Sequence, residues 1–391
     1  MKTRSAQIEP YRSNRMRLYV LLTIGLWVGA CGSTNPERLA GRQPAYRIIA
    51  YVGGRADLYG IDAAKLTHIN YAFGQVSTDG RVVLENENAP AHLAQLQALK
   101  ARNPDLKILL SVGGWGADNF SDAALTDSSR DVFARSAVEM VKRYGLDGID
   151  LDWEYPGQPG PGIKYRPEDK ENFTLMLKAV REGLDQLSDE RGRAPGDRYL
   201  LTIASAGGTY FEHTEMDKLH TYLDWINIMT YDMFGSWTER TGHHTGLYPS
   251  SEGFAPLLTS EAYVQQHLEA GIPPEKLVLG AAFYGRGWTG VEPANNGLNQ
   301  PFERYTAAYP YTVLVQQYID KRGFRRHWDD RASAPYLWNP DSTTFITYED
   351  PQSLREKARF VKTHGLGGIM YWEQSHDPRQ ELLGAIYDAL R

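Results

Sequence analysis

From Ala45 onward the apolar positions of the chain follow two alternating periods. Short apolar runs recur at "YRIIAYV" (46–52), "LTHINYAFG" (66–74), "LKILLSVGG" (106–114) and "GIDLDWEY" (148–155). Four more follow at "YLLTIASAGG" (199–208), "DWINIMTYD" (224–232), "KLVLGAAFYG" (276–285) and "GGIMYWE" (367–373). Runs of this length, rich in Ile, Val and Tyr, predict strands. Between them apolar residues fall three and four apart, predicting helices over 89–103, 128–145, 167–187, 260–271, 350–365 and 379–391. The segment 167–187 opens with Pro167, Glu168 and Asp169, the residues a helix N-terminus prefers.

Strands that alternate with helices pair in parallel, and eight such units predict an α/β fold closed as a (β/α)₈ TIM barrel. The first strand is followed by no G-x-G-x-x-G turn, which excludes the main signature of a dinucleotide fold. The stretch 287–343 is too long for an ordinary loop and rich in aromatics, so it predicts a small α+β insertion between strand 7 and helix 7. The barrel is then expected over 45–286 and 344–391, with the insertion at its mouth, where βα loops emerge.

Composition narrows the classes further. The 391 residues are 42% hydrophobic and 23% charged, and a formal net charge of −6 offers no electrostatic footprint for nucleic acid. Twenty-four Tyr and nine Trp suit the stacking of flat ligands such as sugar rings. The N-terminus reads as a processing signal. In "MRLYVLLTIGLWVGAC" (16–31) a basic residue precedes an apolar run too short to span a bilayer, and "VGAC" resembles a bacterial lipobox. Residues 1–30 are expected to be a lipoprotein-type signal peptide, with Met16 as the start of translation. Cys31, the only cysteine, would be the lipidated residue, and 31–44 a tether. The alternative is plain secretion with a free thiol. Either way the mature chain works outside the cytoplasm, meeting a membrane only through a lipid anchor, and is expected to be a monomer.

"DGIDLDWEYP" (147–156) carries the candidate chemistry. Strand side chains alternate, so Asp150, Asp152 and Glu154 share one face while Ile149, Leu151 and Trp153 share the other. In a barrel the acidic face points inward, with Glu154 roughly 13 Å above Asp150 towards the mouth. Stacked carboxylates in a low-dielectric interior cannot all ionise and titrate as a coupled set. The outermost, Glu154, is then the candidate general acid. Asp147 has odd parity and reads as structural. A calcium loop also spaces acids by two, but it needs a glycine turn and polar company, whereas Ile, Leu and Trp intervene here. No metal and no cofactor is expected.

The same segment resembles the D-x-x-D-x-D-x-E signature of family 18 glycoside hydrolases, the chitinases. "LLSVGGW" (109–115), "IMTYD" (228–232), "FYGRGW" (283–288) and "TYEDPQSLREKARFVKTHGLGGIMYWE" (347–373) resemble that family's third, sixth, seventh and eighth strand regions, in order. Trp328, Asp329 and "PYLW" (335–338) are similar to the insertion domain of its bacterial branch. The resemblance implies cleavage of β-1,4-N-acetylglucosamine linkages in chitin or chitooligosaccharides, with retention and through the substrate's own acetamido group.

Residue by residue, the resemblance makes Glu154 the acid/base and Asp152 its partner, orienting the acetamido nitrogen. Asp150, with Ser111 and Tyr51 beneath it, holds the charge balance. Tyr231 donates to the acetamido carbonyl, Asp232 and Met229 line the same pocket, and Trp372 is the floor. Phe73, Trp115, Tyr155 and Tyr284 are expected on the cleft, as are Phe234, Trp237 and Trp288. Arg286 either bonds sugar hydroxyls or ties the insertion to the barrel. Phe234 stands where the family often has a polar residue, and "YWEQSHD" replaces the commoner "FWELSGD". A hydrolase of N-glycan cores or peptidoglycan is the rival enzyme. A non-catalytic lectin is the rival class, and such lectins typically lose the acid at the position of Glu154.

Overall fold

The structure, a computed structural model, describes residues 46–54, 58, 60–250 and 258–391. The expected signal, Cys31 and the tether lie outside the described residues. The strands are β1 (Arg47–Gly53), β2 (His68–Val76), β3 (Val82–Val83), β4 (Lys107–Gly113), β5 (Gly148–Asp152), β6 (Leu200–Ser205) and β7 (Trp225–Ile228). They continue with β8 (Leu277–Ala282), β9 (Tyr284–Thr289), β10 (Arg304–Pro310), β11 (Arg325–Asp329), β12 (Ala334–Asn339), β13 (Thr344–Thr347) and β14 (Gly368–Trp372). The helices are α1 (Ala89–Ala98), α2 (Phe120–Ala123), α3 (Asp127–Tyr144), α4 (Asp169–Glu190) and α5 (Met216–Leu219), then α6 (Ser260–Glu269), α7 (Tyr311–Gln317), α8 (Pro351–His364) and α9 (Glu381–Leu390).

Eight strands pair in parallel in the order β1-β14-β8-β7-β6-β5-β4-β2, and β1 pairs back onto β2. The sheet therefore closes as the expected (β/α)₈ barrel. The outer face of β5 buries Ile149 and Leu151 completely. Just past the strand, the Trp153 ring stacks on Phe120 of α2 at 5.3 Å and meets Phe173 of α4 edge-on at 5.4 Å. Helix caps are local consequences of sequence: Thr126 and Ser129 form a reciprocal capping box on α3, and Gly145 ends it at φ 62°. Inside the barrel Ile49, Trp225, Val278 and Met370 form a separate apolar plug below the mouth.

Several strands end sooner than the apolar runs predicted, two of them at the mouth. β5 stops at Asp152, where its ladder with β4 ends on the Gly113–Asp152 pair, and β7 stops at Ile228. Glu154, Tyr231 and Asp232 thus stand on turns at the C-terminal mouth rather than within strands.

The irregular region forms a second, antiparallel sheet in the order β10-β9-β13-β12-β11, with α7 beside it. It begins at Tyr284, earlier than the expected 287. "KLVLGAAFYG" reads as one apolar run, yet the chain leaves the barrel at Phe283 and starts β9. Trp288 and Phe234 are not cleft walls as expected. Both are buried with Met233, Val291, Trp338 and Phe345, in a core shared by the insertion and the turn after β7.

Candidate active site

The inward column of β5 is built from the bottom up. Asp150 is fully buried and accepts four hydrogen bonds: from Tyr51 (2.8 Å), Ser111 (2.7 Å), Thr202 (2.6 Å) and Asn227 (3.2 Å). Burial raises its pKa, and the four donors hold that rise back. Asp152 above it is also buried, and its Oδ1 has no hydrogen-bond partner among the described residues. Burial, with Glu154 and Asp150 adding their charge, pushes its pKa well above the carboxylate range. Glu154 ends the column at the mouth. Burial lifts its carboxyl to about 7, with Tyr155 opposing the shift and Asp232 adding to it. Asp147, at the strand's other end, pairs with Lys100 at 2.7 Å and accepts the Ile108 N–H, a structural tie as its parity implies.

Facing the column across the mouth is the turn after β7. Burial keeps the Tyr231 phenol protonated far above its usual range, so it is a donor. Asp232, at φ 58°, receives Tyr284 Oη and Arg286 Nε, each at 2.6 Å, with His244 Nδ1 3.5 Å away. Burial would raise its pKa, but the adjacent His244 ring and the Arg286 guanidinium outweigh this and hold it well below the usual range. Arg286 also donates to the Tyr305 hydroxyl (2.8 Å) and lies 5.0 Å over the Trp237 ring. It therefore ties the insertion to the barrel while lining the cleft.

The floor is Trp372, stacked on Phe73 at 5.6 Å and tilted against Tyr51 at 5.8 Å. The cleft encloses about 670 Å³. Trp115 (66% exposed) and Trp237 (60%) line it with largely exposed rings. Non-proline cis peptides at Ala72–Phe73, Glu154–Tyr155 and Trp372–Glu373 lie beside it.

The fold brings together almost every residue singled out in the sequence. Tyr51, Phe73, Trp115, Asp152, Glu154, Tyr155, Met229, Tyr231, Asp232, Tyr284, Arg286 and Trp372 all line this cleft, with Asp150 and Ser111 beneath. Sequence reasoning missed Thr202 and Asn227 under Asp150. Thr202 pairs in register with Asp150 across β5 and β6, a relation that strand pairing defines and the sequence does not. Tyr210, on a short 3-10 helix after β6, and Tyr263, on α6, add aromatic wall. Gly113 explains the paired glycines of "SVGG": at φ 125°, a Cβ there would sit 2.0 Å from the Asp152 carbonyl oxygen.

A mouth-side acid near neutrality above a buried carboxyl, opposite a tyrosine donor and over a tryptophan floor, defines a carbohydrate-hydrolase class of site. The family model for glycosyl hydrolases family 18 matches residues 47–377, and the chain belongs to that family. It is 38% identical to "Chitinase A1" of Niallia circulans, covering 86% of this chain and 57% of that one. It is 32% identical to "Chitinase B" of Serratia marcescens, covering 83% and 76%. Among solved structures, a glycoside hydrolase family 18 N-acetylglucosaminidase from Paenibacillus barengoltzii superposes with a TM-score of 0.82 at 44% identity, covering 88% of this chain and 99% of that one.

Proposed function

We propose that the chain is a retaining glycoside hydrolase of the chitinase type, cleaving β-1,4-N-acetylglucosamine linkages in chitin or chitooligosaccharides. Glu154 protonates the leaving oxygen. The substrate's acetamido oxygen, oriented by Tyr231, attacks C1 as the bond to the leaving oxygen breaks, giving an oxazolinium ion whose nitrogen Asp152 holds. Glu154 then takes a proton from the water that opens the ring. Asp150 and its four donors anchor the charge below, and the reacting sugar rests on Trp372.

One observation carries this reading over a two-carboxylate mechanism. Besides Asp152 and Glu154, Asp232 is the only carboxylate among the described residues lining the cleft, and it is engaged by Arg286 and Tyr284. Asp152 sits beneath Glu154 in the same column with its pKa raised by burial, so no ionised carboxylate stands opposite the acid as a nucleophile, and the N-acetyl group supplies one. The mature chain works outside the cytoplasm, anchored through Cys31; a Cys31→Ser chain still sedimenting with membranes would overturn the anchor.

The test is product analysis on N-acetylglucosamine oligomers beside fully deacetylated oligomers, peptidoglycan fragments and N-glycan cores. Only N-acetylglucosamine oligomers are expected to turn over efficiently. Glu154→Gln should lower kcat by about 10²–10⁴ while oligomer binding remains measurable. Efficient cleavage of the deacetylated oligomer, or an active Glu154→Gln, would refute the mechanism.

A further inference from the structure

Tyr231 stands on a stretch that no strand holds. β7 ends at Ile228, the Met229 N–H still reaches the Ser205 carbonyl of β6, and Thr230–Asp232 runs on outside the ladder. Its neighbour Thr230 is nevertheless fixed from two sides: its Oγ1 donates to the Gly280 carbonyl of β8 at 2.7 Å, and its own carbonyl faces Thr245 Oγ1 at 2.9 Å. Thr245 in turn accepts from Lys357 Nζ at 2.6 Å, with Glu349 Oε1 3.1 Å away. Lys357 and Glu349 form an ion pair in which each side chain is 1% exposed. Lys357 also reaches the Gly280 carbonyl at 3.4 Å, and the Ser353 hydroxyl caps the second oxygen of Glu349.

Three elements converge here. Lys357 comes from α8, Gly280 from β8, and Glu349 lies two residues after β13, where the insertion sheet returns to the barrel. None of Thr245, Lys357 and Glu349 lines the cleft. An apolar pair of similar volume would stabilise the packing about as well as a buried ion pair. A charged pair, unlike an apolar one, supplies donors of fixed direction to the Thr245 hydroxyl and the Gly280 carbonyl.

We propose that Thr245, Lys357 and Glu349 are positioning residues for the reaction. They fix the Thr230 carbonyl and so hold the Tyr231 hydroxyl where the acetamido carbonyl must be oriented. This rests on the role of Tyr231 given above. A displacement of about 1 Å in such a group costs on the order of 10²-fold in rate.

The test is a double-mutant cycle with thermal unfolding as a second readout. Thr245→Val removes the hydroxyl at constant shape, and Thr245→Ser keeps it. On the N-acetylglucosamine tetramer, Thr245→Val should lower kcat about tenfold with KM within about twofold, and Thr245→Ser should restore turnover. In a Tyr231→Phe background the same substitution should cost less than about twofold. Equal losses in both backgrounds, or unchanged kcat beside a lowered Tm, would overturn the proposal. If Thr245→Val does not fold, Lys357→Met with Glu349→Leu is read by the same criteria. Wild-type turnover in Tyr231→Phe alone would overturn both this inference and the role of Tyr231.

Discussion

At the scale of single residues, chemistry follows from how differently three acids of one column are served. Asp150 has four donors, Asp152 has an oxygen with none, and Glu154 meets the cleft. Burial raises Glu154 to about 7, so it is protonated below that pH and ionised above it. Because it gives up a proton in the first step, kcat/KM on a soluble oligomer should hold up to about pH 7 and fall roughly tenfold per unit beyond. The limb belongs to the Asp152–Glu154 pair, since the two titrate together. A profile measured from pH 5 to 9 that had already fallen near pH 5 would show an unperturbed carboxyl instead. The order of the acids was legible from strand parity alone. Their support was not, because Thr202 and Asn227 come from strands whose register only pairing defines.

At the scale of elements, the eight strands were legible because parallel barrel strands are buried on both faces and read as continuous apolar runs. The same property blurred their ends. An apolar run does not report where hydrogen bonding stops, so β5, β6, β7 and β8 end sooner than their runs, and the first two residues of β9 read as part of the strand before it. Trp288 and Phe234 misled for a related reason: an aromatic just beyond a strand can face the cleft or the insertion, and here both join the insertion's buried core. The pairing of β4 and β5 makes its own prediction. Gly113→Ala drives a methyl group into the Asp152 carbonyl at a φ that L side chains avoid. It should cost more than about 3 kcal/mol and depress kcat by displacing Asp152. Gly145→Ala, where a Cβ meets nothing within 4 Å, should cost only about 1 kcal/mol. Thermal unfolding of the two variants, with kcat for each, checks the contrast; similar losses would mean that β4 tolerates the clash.

At the scale of the whole molecule, the barrel supplies a rigid mouth, and the insertion adds Tyr284 and Arg286 to one side of it. The inward acids have a consequence for the equilibrium between folded and unfolded chain. Carboxyls that titrate at ordinary values when unfolded keep their protons to higher pH when folded, so the native state binds more protons across that interval. Folding takes up protons there, and stability falls as pH rises through it. For Glu154, moving from 4.5 to about 7 corresponds to about 3 kcal/mol that the folded state has lost once pH exceeds 7. Glu154→Gln should therefore unfold at a higher temperature than the parent chain at pH 8, with the gap closing by pH 4. A gap independent of pH would rule out this linkage. Calorimetry in buffers of different ionisation enthalpy should also register proton release on unfolding between those limits. The ionisation that ends the acid's usefulness is thus the one that loosens the fold, and turnover and thermal endurance should decline along the same titration.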